Sequence, residues 1–209
     1  SRLLKDVRLP RMFHAVQRFA DSHIKREEIE AAIFHEVRRS GMDLRVKPGM
    51  RVAITAGSRG IRNVDEITRS IAAFVKSRGA IPFIVPAMGS HGGATAEGQT
   101  ELLAGYGITP EKMGCEILSS METVLLGYSD LGKPVYMDKN AYEADGVILS
   151  CRLKPHNAFR GPVESGPCKM MTGACRRHGH HCKEHPFHGQ GHPGDRQDTV
   201  RPALPGKRL

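Results

Sequence analysis

Met50-Arg51-Val52-Ala53-Ile54-Thr55 is a short run of largely apolar and β-branched residues, and Ala56-Gly57-Ser58-Arg59-Gly60 interrupts it with two glycines and a serine. Continuous rather than alternating apolar character predicts a strand buried on both faces. Lys47-Pro48-Gly49 in front of it reads as a turn. Beyond the glycines, Ile67, Ile71, Phe74 and Val75 share one face of a helix running from about Asn63 to Ser77, and Gly79 closes it. Ile81 to Pro86 then reads as a second buried strand. Strand, loop, helix, strand is the repeating unit of a parallel α/β sheet, because parallel neighbours need a crossover between them.

The pattern continues in both directions. A second glycine-rich loop, Gly89-Ser90-His91-Gly92-Gly93-Ala94, follows the second strand, and Thr95 caps a helix that reaches about Tyr106. Glu116–Leu118 and Thr123–Tyr128 read as strands, with Lys133–Met137 pairing with the latter. Asp145-Gly146-Val147-Ile148-Leu149-Ser150 is another buried strand, and a loop from Arg152 to Gly166 follows. Upstream, Ile24, Ile29, Ala32, Ile33 and Val37 have helical spacing from Ser22 to Arg39, with Asp21 or Ser22 as cap and Gly41 as stop. The loops after the carboxyl ends of parallel strands gather along one edge, where ligands bind. Three loops qualify: those carrying Arg59, His91, and His156 with Lys169.

Composition narrows the class. The 209 residues are 39% hydrophobic and 25% charged, enough apolar material for a core and too much for a wholly disordered chain. No apolar run reaches the roughly 18 residues of a membrane span, and no secretory leader is visible, so no membrane role is expected. Five cysteines, an odd number without a CxxC pair, predict reduced thiols in a cytoplasmic protein. The net charge is +9, of which the last 38 residues carry +4 (seven Lys/Arg against three Asp/Glu). These charges are scattered rather than gathered with aromatics on one stripe, which argues against a nucleic-acid partner and for anionic ligands. After Met171 the composition breaks. Residues 172–209 hold six of the eleven His, six Gly and four Pro with almost no apolar periodicity, and are expected to be disordered.

The loops carry the chemistry. Gly57-Ser58-Arg59-Gly60 offers backbone N–H groups, a hydroxyl and a guanidinium, which suit a phosphate or carboxylate; a tight turn with an exposed Arg accounts for it as well. His91, between small residues at a strand end, can reach a substrate and move a proton near neutral pH, or can simply bond a nearby carbonyl. The segment from Arg152 to Met171 packs four basic side chains, Arg152, Lys154, Arg160 and Lys169, with His156 and Glu164 among prolines and glycines; Pro155 and Pro162 stiffen it. Two His on separate loops at one edge suggest a two-base design, able to serve both faces of one carbon centre.

TAGSRGIRNVDE, PAMGSHGGATAEGQTELL and DGVILSCRLKPHNAFRGPVESGPCKMM together resemble the N-terminal domain of the nickel-dependent lactate racemase family, over about Arg51 to Met171. The resemblance implies a nickel pincer nucleotide, a pyridinium mononucleotide with sulfur ligands, attached to a Lys. It implies that one His deprotonates the hydroxyl of a 2-hydroxy acid while hydride leaves C2 for the cofactor. The keto acid then takes hydride back on its other face, with a second His as proton donor. By position His91 and His156 match that pair and Lys169 matches the cofactor-bearing Lys. Arg59, with Ser58 beside it, matches the phosphate-binding position. Ala56 stands where the family commonly has Asp, which makes the chain a broader homologue rather than the lactate enzyme itself. The family's nickel-binding His and its closing second domain are not recognisable after Lys169, so no metal ligand is assigned.

The expectation is therefore an α/β fold: a Rossmann-like parallel sheet with flanking helices and a disordered C-terminal tail. Residues 1–44 form an N-terminal segment with one helix, 45–171 the racemase-like domain, and 172–209 the tail. The implied function is that of a racemase or epimerase on a small 2-hydroxy acid, truncated and weakly active or inactive without its second domain. Truncation or a shifted reading frame after about Met171 would explain the break. Two alternatives stand beside it. One is a non-catalytic nucleotide- or anion-binding module using Arg59, Lys154 and Arg160. The other is metal binding by the tail's Cys175, His178, His180, His181, Cys182, His185, His188 and His192, whose spacing fits no closed four-ligand site.

Overall fold

A computed structural model describes residues 12, 14–16, 18, 23–58, 60–128, 134–153, 166 and 167. Its centre is a four-stranded sheet in which every pairing is parallel. Strand β1 (Arg51–Ala56) pairs with β2 (Ile81–Pro86) along its whole length, from Arg51 opposite Ile81 to Ala56 opposite Pro86. The short β3 (Glu116–Ile117) lies beyond β2, and β6 (Gly146–Ile148) flanks β1 on the other side.

The alternation of side chains across β1 and β2 explains their uninterrupted apolar sequence. Val52, Ile54, Ala56 and Ile84 join one core cluster. Ala53, Phe83 and Val85 join another. The first cluster is completed by Ala72, Phe74 and Val75 of α2 (Val64–Ser77), Leu103 of α3 (Ala96–Gly105) and Met113 of α4 (Pro110–Met113). Outside α2 packs α1 (Ile29–Arg39), its Phe34 ring edge-on to Phe74 with centroids 5.9 Å apart. The second cluster is completed by an antiparallel ribbon, β4 (Thr123–Tyr128) with β5 (Pro134–Asp138), and by α5 (Lys139–Glu143), through Met137, Ala141 and Ala144. One face of the sheet thus carries helices, and the other a ribbon with one short helix. The fold is the α/β parallel sheet expected. No described helix is long and apolar enough to cross a membrane.

Several boundaries differ from the sequence reading. The first helix does not start at Ser22: Lys25 is extended (φ −65°, ψ 152°), Arg26–Glu28 make a single 3₁₀ turn, and Ile24 is 56% exposed. Arg26 is drawn instead to Asp65 on α2, with bonds of 2.6 and 3.1 Å, which fixes the entry of the chain one turn later. The last strand stops at Ile148, because the Ser150 N–H bonds the buried Thr55 hydroxyl at 3.0 Å rather than a ladder carbonyl. Helices α4 and α5 were not anticipated. Both are too short to show periodicity and are legible only in their caps, Thr109-Pro110 with Gly114 for α4 and Asp138 for α5.

The second glycine-rich loop is pressed onto α3. Thr95 caps that helix, its Oγ1 accepting the Gly98 N–H at 3.1 Å. Gly92 sits in the left-handed region (φ +64°), and its carbonyl lies so close to Gly98 that a Cβ there would stand 2.1 Å from the oxygen. Only two glycines let loop and helix approach this closely.

That contact predicts that Gly98→Ala destabilises the protein by about 1–3 kcal/mol, although alanine is the better helix former. Gly105→Ala, in the same helix with nothing within 4 Å of the added carbon, should be neutral or stabilise by up to about 1 kcal/mol. Urea unfolding of both variants checks the contrast, and equal effects would refute the contact. The α1–α2 seam makes a second prediction. The hydrogen bond from Arg26 holds the Asp65 carboxyl below its usual range, and one from Arg69 does the same for Glu66. Groups with depressed folded pKa stabilise fully above the ordinary carboxylate range, about 4, and lose that contribution as pH falls through the folded value. Arg26→Ala should therefore flatten the acid limb of the stability–pH curve, as read by denaturant midpoints from neutral pH downward.

Candidate active site

Strand order places the candidate site. From β1 the chain crosses to β2 on one side, whereas β6 lies on the other, so the strand order changes direction at β1. Such a switch point opens a crevice in parallel sheets. The loops after β1, β2 and β6 all leave from this edge, and the ladder extends into it through the Ala87 N–H, which donates to the Ala56 carbonyl at 2.8 Å.

Two residues distant in sequence meet there. Ser58 follows β1 and is 8% exposed; His91 follows β2. The Ser58 hydroxyl and His91 Nδ1 are hydrogen-bonded to each other. Helix α3 holds both partners. From its C-terminal cap the Tyr106 hydroxyl donates to the Ser58 carbonyl at 2.5 Å. From its middle the fully buried Gln99 amide donates to the carbonyls of Gly89 at 2.8 Å and His91 at 3.3 Å. A buried amide spent on two loop carbonyls fixes the path of the loop, since leaving those groups unpaired would cost about 1–3 kcal/mol each.

The loop after β6 is tied to the loop after β1. Ser150 is bonded to Thr55, and Arg152 Nη1 donates to the Gly60 carbonyl at 2.9 Å. Gly60 is in the left-handed region (φ +72°), so the turn closes without strain and brings a guanidinium against the glycine-bounded loop. The positive charge this adds beside the loop favours an anion there. The neighbouring Cys151 thiol is pushed up by burial, as is Cys115. Both therefore keep their protons near neutral pH, which makes them poor nucleophiles.

Of the residues singled out from sequence, Ser58 and His91 stand together at the edge. Arg59, Lys154, His156, Arg160, Lys169 and the whole tail after Met171, with its candidate metal ligands, lie outside the described residues. Among the described residues no group of three or more His, Cys, Asp or Glu is placed to hold a metal ion. The sequence reading missed Thr55, Gln99 and Tyr106, and it counted Arg152 among the basic side chains of the third loop without giving it a partner. Gln99 left a faint signal, a polar residue one position from the turn that meets the second loop. Tyr106 left none, since it marks only the end of a helix.

Comparison with known proteins agrees with this architecture. The family model described as the lactate racemase N-terminal domain matches residues 4–173, a span that takes in α1 as well as the sheet. No curated protein and no solved structure matches the chain. With its strand order, its edge loops and a family match over most of its length, the chain belongs to the lactate racemase N-terminal domain family.

Proposed function

We propose that the chain is the N-terminal domain of a nickel-pincer-nucleotide-dependent racemase or epimerase, acting on a small 2-hydroxy acid by proton-coupled hydride transfer. The observation that carries this reading is the family match over residues 4–173, which includes His91 at the edge where parallel sheets bind ligands.

The donor set at the edge bears on whether such a group fits. Gly57 to Gly60, with the Arg152 guanidinium bonded to the Gly60 carbonyl, suits the phosphate of a nucleotide. Metal ligation has no counterpart among the described residues, so on this reading it falls to the sulfur atoms of the group and to residues beyond them. The fit is to the nucleotide's anionic end.

When bound, the pincer nucleotide supplies the acceptor for the hydride that leaves C2. His91 takes the hydroxyl proton as C2 becomes planar and returns a proton when the reaction reverses. His156 does the same from the other face. Arg59, next to Ser58 in the loop after β1, holds the phosphate, and Lys169 carries the covalent attachment. A second domain, as the family resemblance implies, closes over the edge in the whole enzyme and excludes water. The free Cys115 and Cys151 accord with a reducing cytoplasm.

In the whole enzyme, with nickel and the pincer nucleotide supplied, the pure enantiomers of at least one acid in a panel of 2-hydroxy acids should be scrambled, followed by chiral chromatography. His91→Ala and His156→Ala should each slow scrambling by about 100-fold or more, the usual weight of one acid–base group. Scrambling that survives both substitutions would overturn the assignment.

A further inference from the structure

We infer that Ser58 is a positioning residue for His91, setting which imidazole nitrogen carries the proton, rather than a hydroxyl reserved for phosphate. The inference rests on the proton-transfer role given to His91 above.

Geometry comes first. Ser58 and His91 are 33 residues apart, yet their side chains share a hydrogen bond at Nδ1. Neither is left to find the other by chance. Tyr106 holds the Ser58 carbonyl and Gln99 holds the His91 carbonyl, both from α3. Gly92 against Gly98 seats the His91 loop on the same helix. One rigid element therefore sets the separation of the hydroxyl and the ring.

The chemistry follows from which nitrogen is engaged. An imidazole bonded at Nδ1 turns Nε2 away from that partner and toward other groups. To accept a proton at Nε2, the neutral ring must carry its hydrogen on Nδ1, and after protonation it keeps that hydrogen. An oxygen at Nδ1 that accepts this hydrogen serves both forms. A carboxylate would do so too, but its charge would favour the imidazolium and bias the group toward holding its proton. A neutral hydroxyl that accepts from Nδ1 holds this tautomer without that bias, and the same hydroxyl donating to Nδ1 would hold the other, so the direction of this bond is what the test reads. The absence of that bias suits a group that must take and return a proton with similar ease, as reversible inversion of a carbon centre demands. The hydroxyl hydrogen is free to rotate, so accepting from Nδ1 strains nothing.

The test reads the ring directly. In protein labelled with ¹⁵N-histidine, the ring nitrogen shifts of His91, assigned by their absence in His91→Ala, should show hydrogen on Nδ1 in the parent chain. Ser58→Ala should move the ring toward the Nε2–H tautomer, and Ser58→Thr, which keeps a hydroxyl, should restore it. Ser58→Cys, a weak acceptor, should behave like Ser58→Ala and serves if the alanine variant fails to fold. A ring whose tautomer is the same in the parent, alanine and cysteine variants overturns the inference. In the cofactor-loaded enzyme, Ser58→Ala should lower kcat by roughly tenfold with KM nearly unchanged. Combined with His91→Ala it should add nothing. A loss confined to cofactor retention would instead mark a phosphate ligand and count against positioning. Full activity in His91→Ala would sink the proton-transfer reading itself, whereas an active-site His91 with an unresponsive tautomer would sink only the role of Ser58.

Discussion

The rest of the molecule depends on β1 being hydrogen-bonded on both sides by parallel strands. Its register with β2 runs from Arg51 to Ala56 and with β6 from Val52 to Ile54, so β1 is buried on both faces and at both edges. A strand so enclosed tolerates only apolar or internally bonded side chains, and Thr55 meets the condition by accepting the Ser150 N–H. Parallel pairing also forces the chain to cross the sheet between strands, so successive loops return to the same edge. Val52, Ile54 and Ala56 on one side, and Ala53 on the other, are what make the edge a fixed platform rather than a flexible rim.

Helix α3 holds two of the loops that leave that platform. It uses three unlike devices: a glycine–glycine approach at its first turn, a buried amide in its middle and a phenol at its end. Each acts on a backbone position of a loop rather than on the side chains of Ser58 and His91, which leaves the hydroxyl and the ring to meet each other. Rigidity held by backbone contacts lets a site keep its geometry while its side chains change partner during chemistry. Arg152 performs the corresponding task for the glycine loop after β1 and adds a positive charge there.

What could be read from sequence was what has a period or a punctuation mark. β1, β2 and α2 stood out because apolar runs were bounded by Gly49, Gly57 and Gly79, and the cap at Thr95 was visible because a hydroxyl preceded a helical stretch. Helices α4 and α5 escaped because four or five residues cannot complete a periodic pattern. The late start of α1 escaped because the deciding interaction, Arg26 with Asp65, joins residues 39 apart. His91 and Ser58 were each read as residues of the edge loops, where the structure places them, but were given separate tasks, acid–base work and phosphate binding. No local pattern records that two loops 33 residues apart share a hydrogen bond.

The central claim is that this edge is built around a covalently held pincer nucleotide, and intact-mass measurement reaches it most directly. The protein would be produced in cells that make the cofactor, weighed whole, then cleaved and mapped. The account predicts added mass matching the nickel-bearing nucleotide, located on the peptide that contains Lys169. An unmodified mass from such cells, or an adduct on a different lysine, would contradict it.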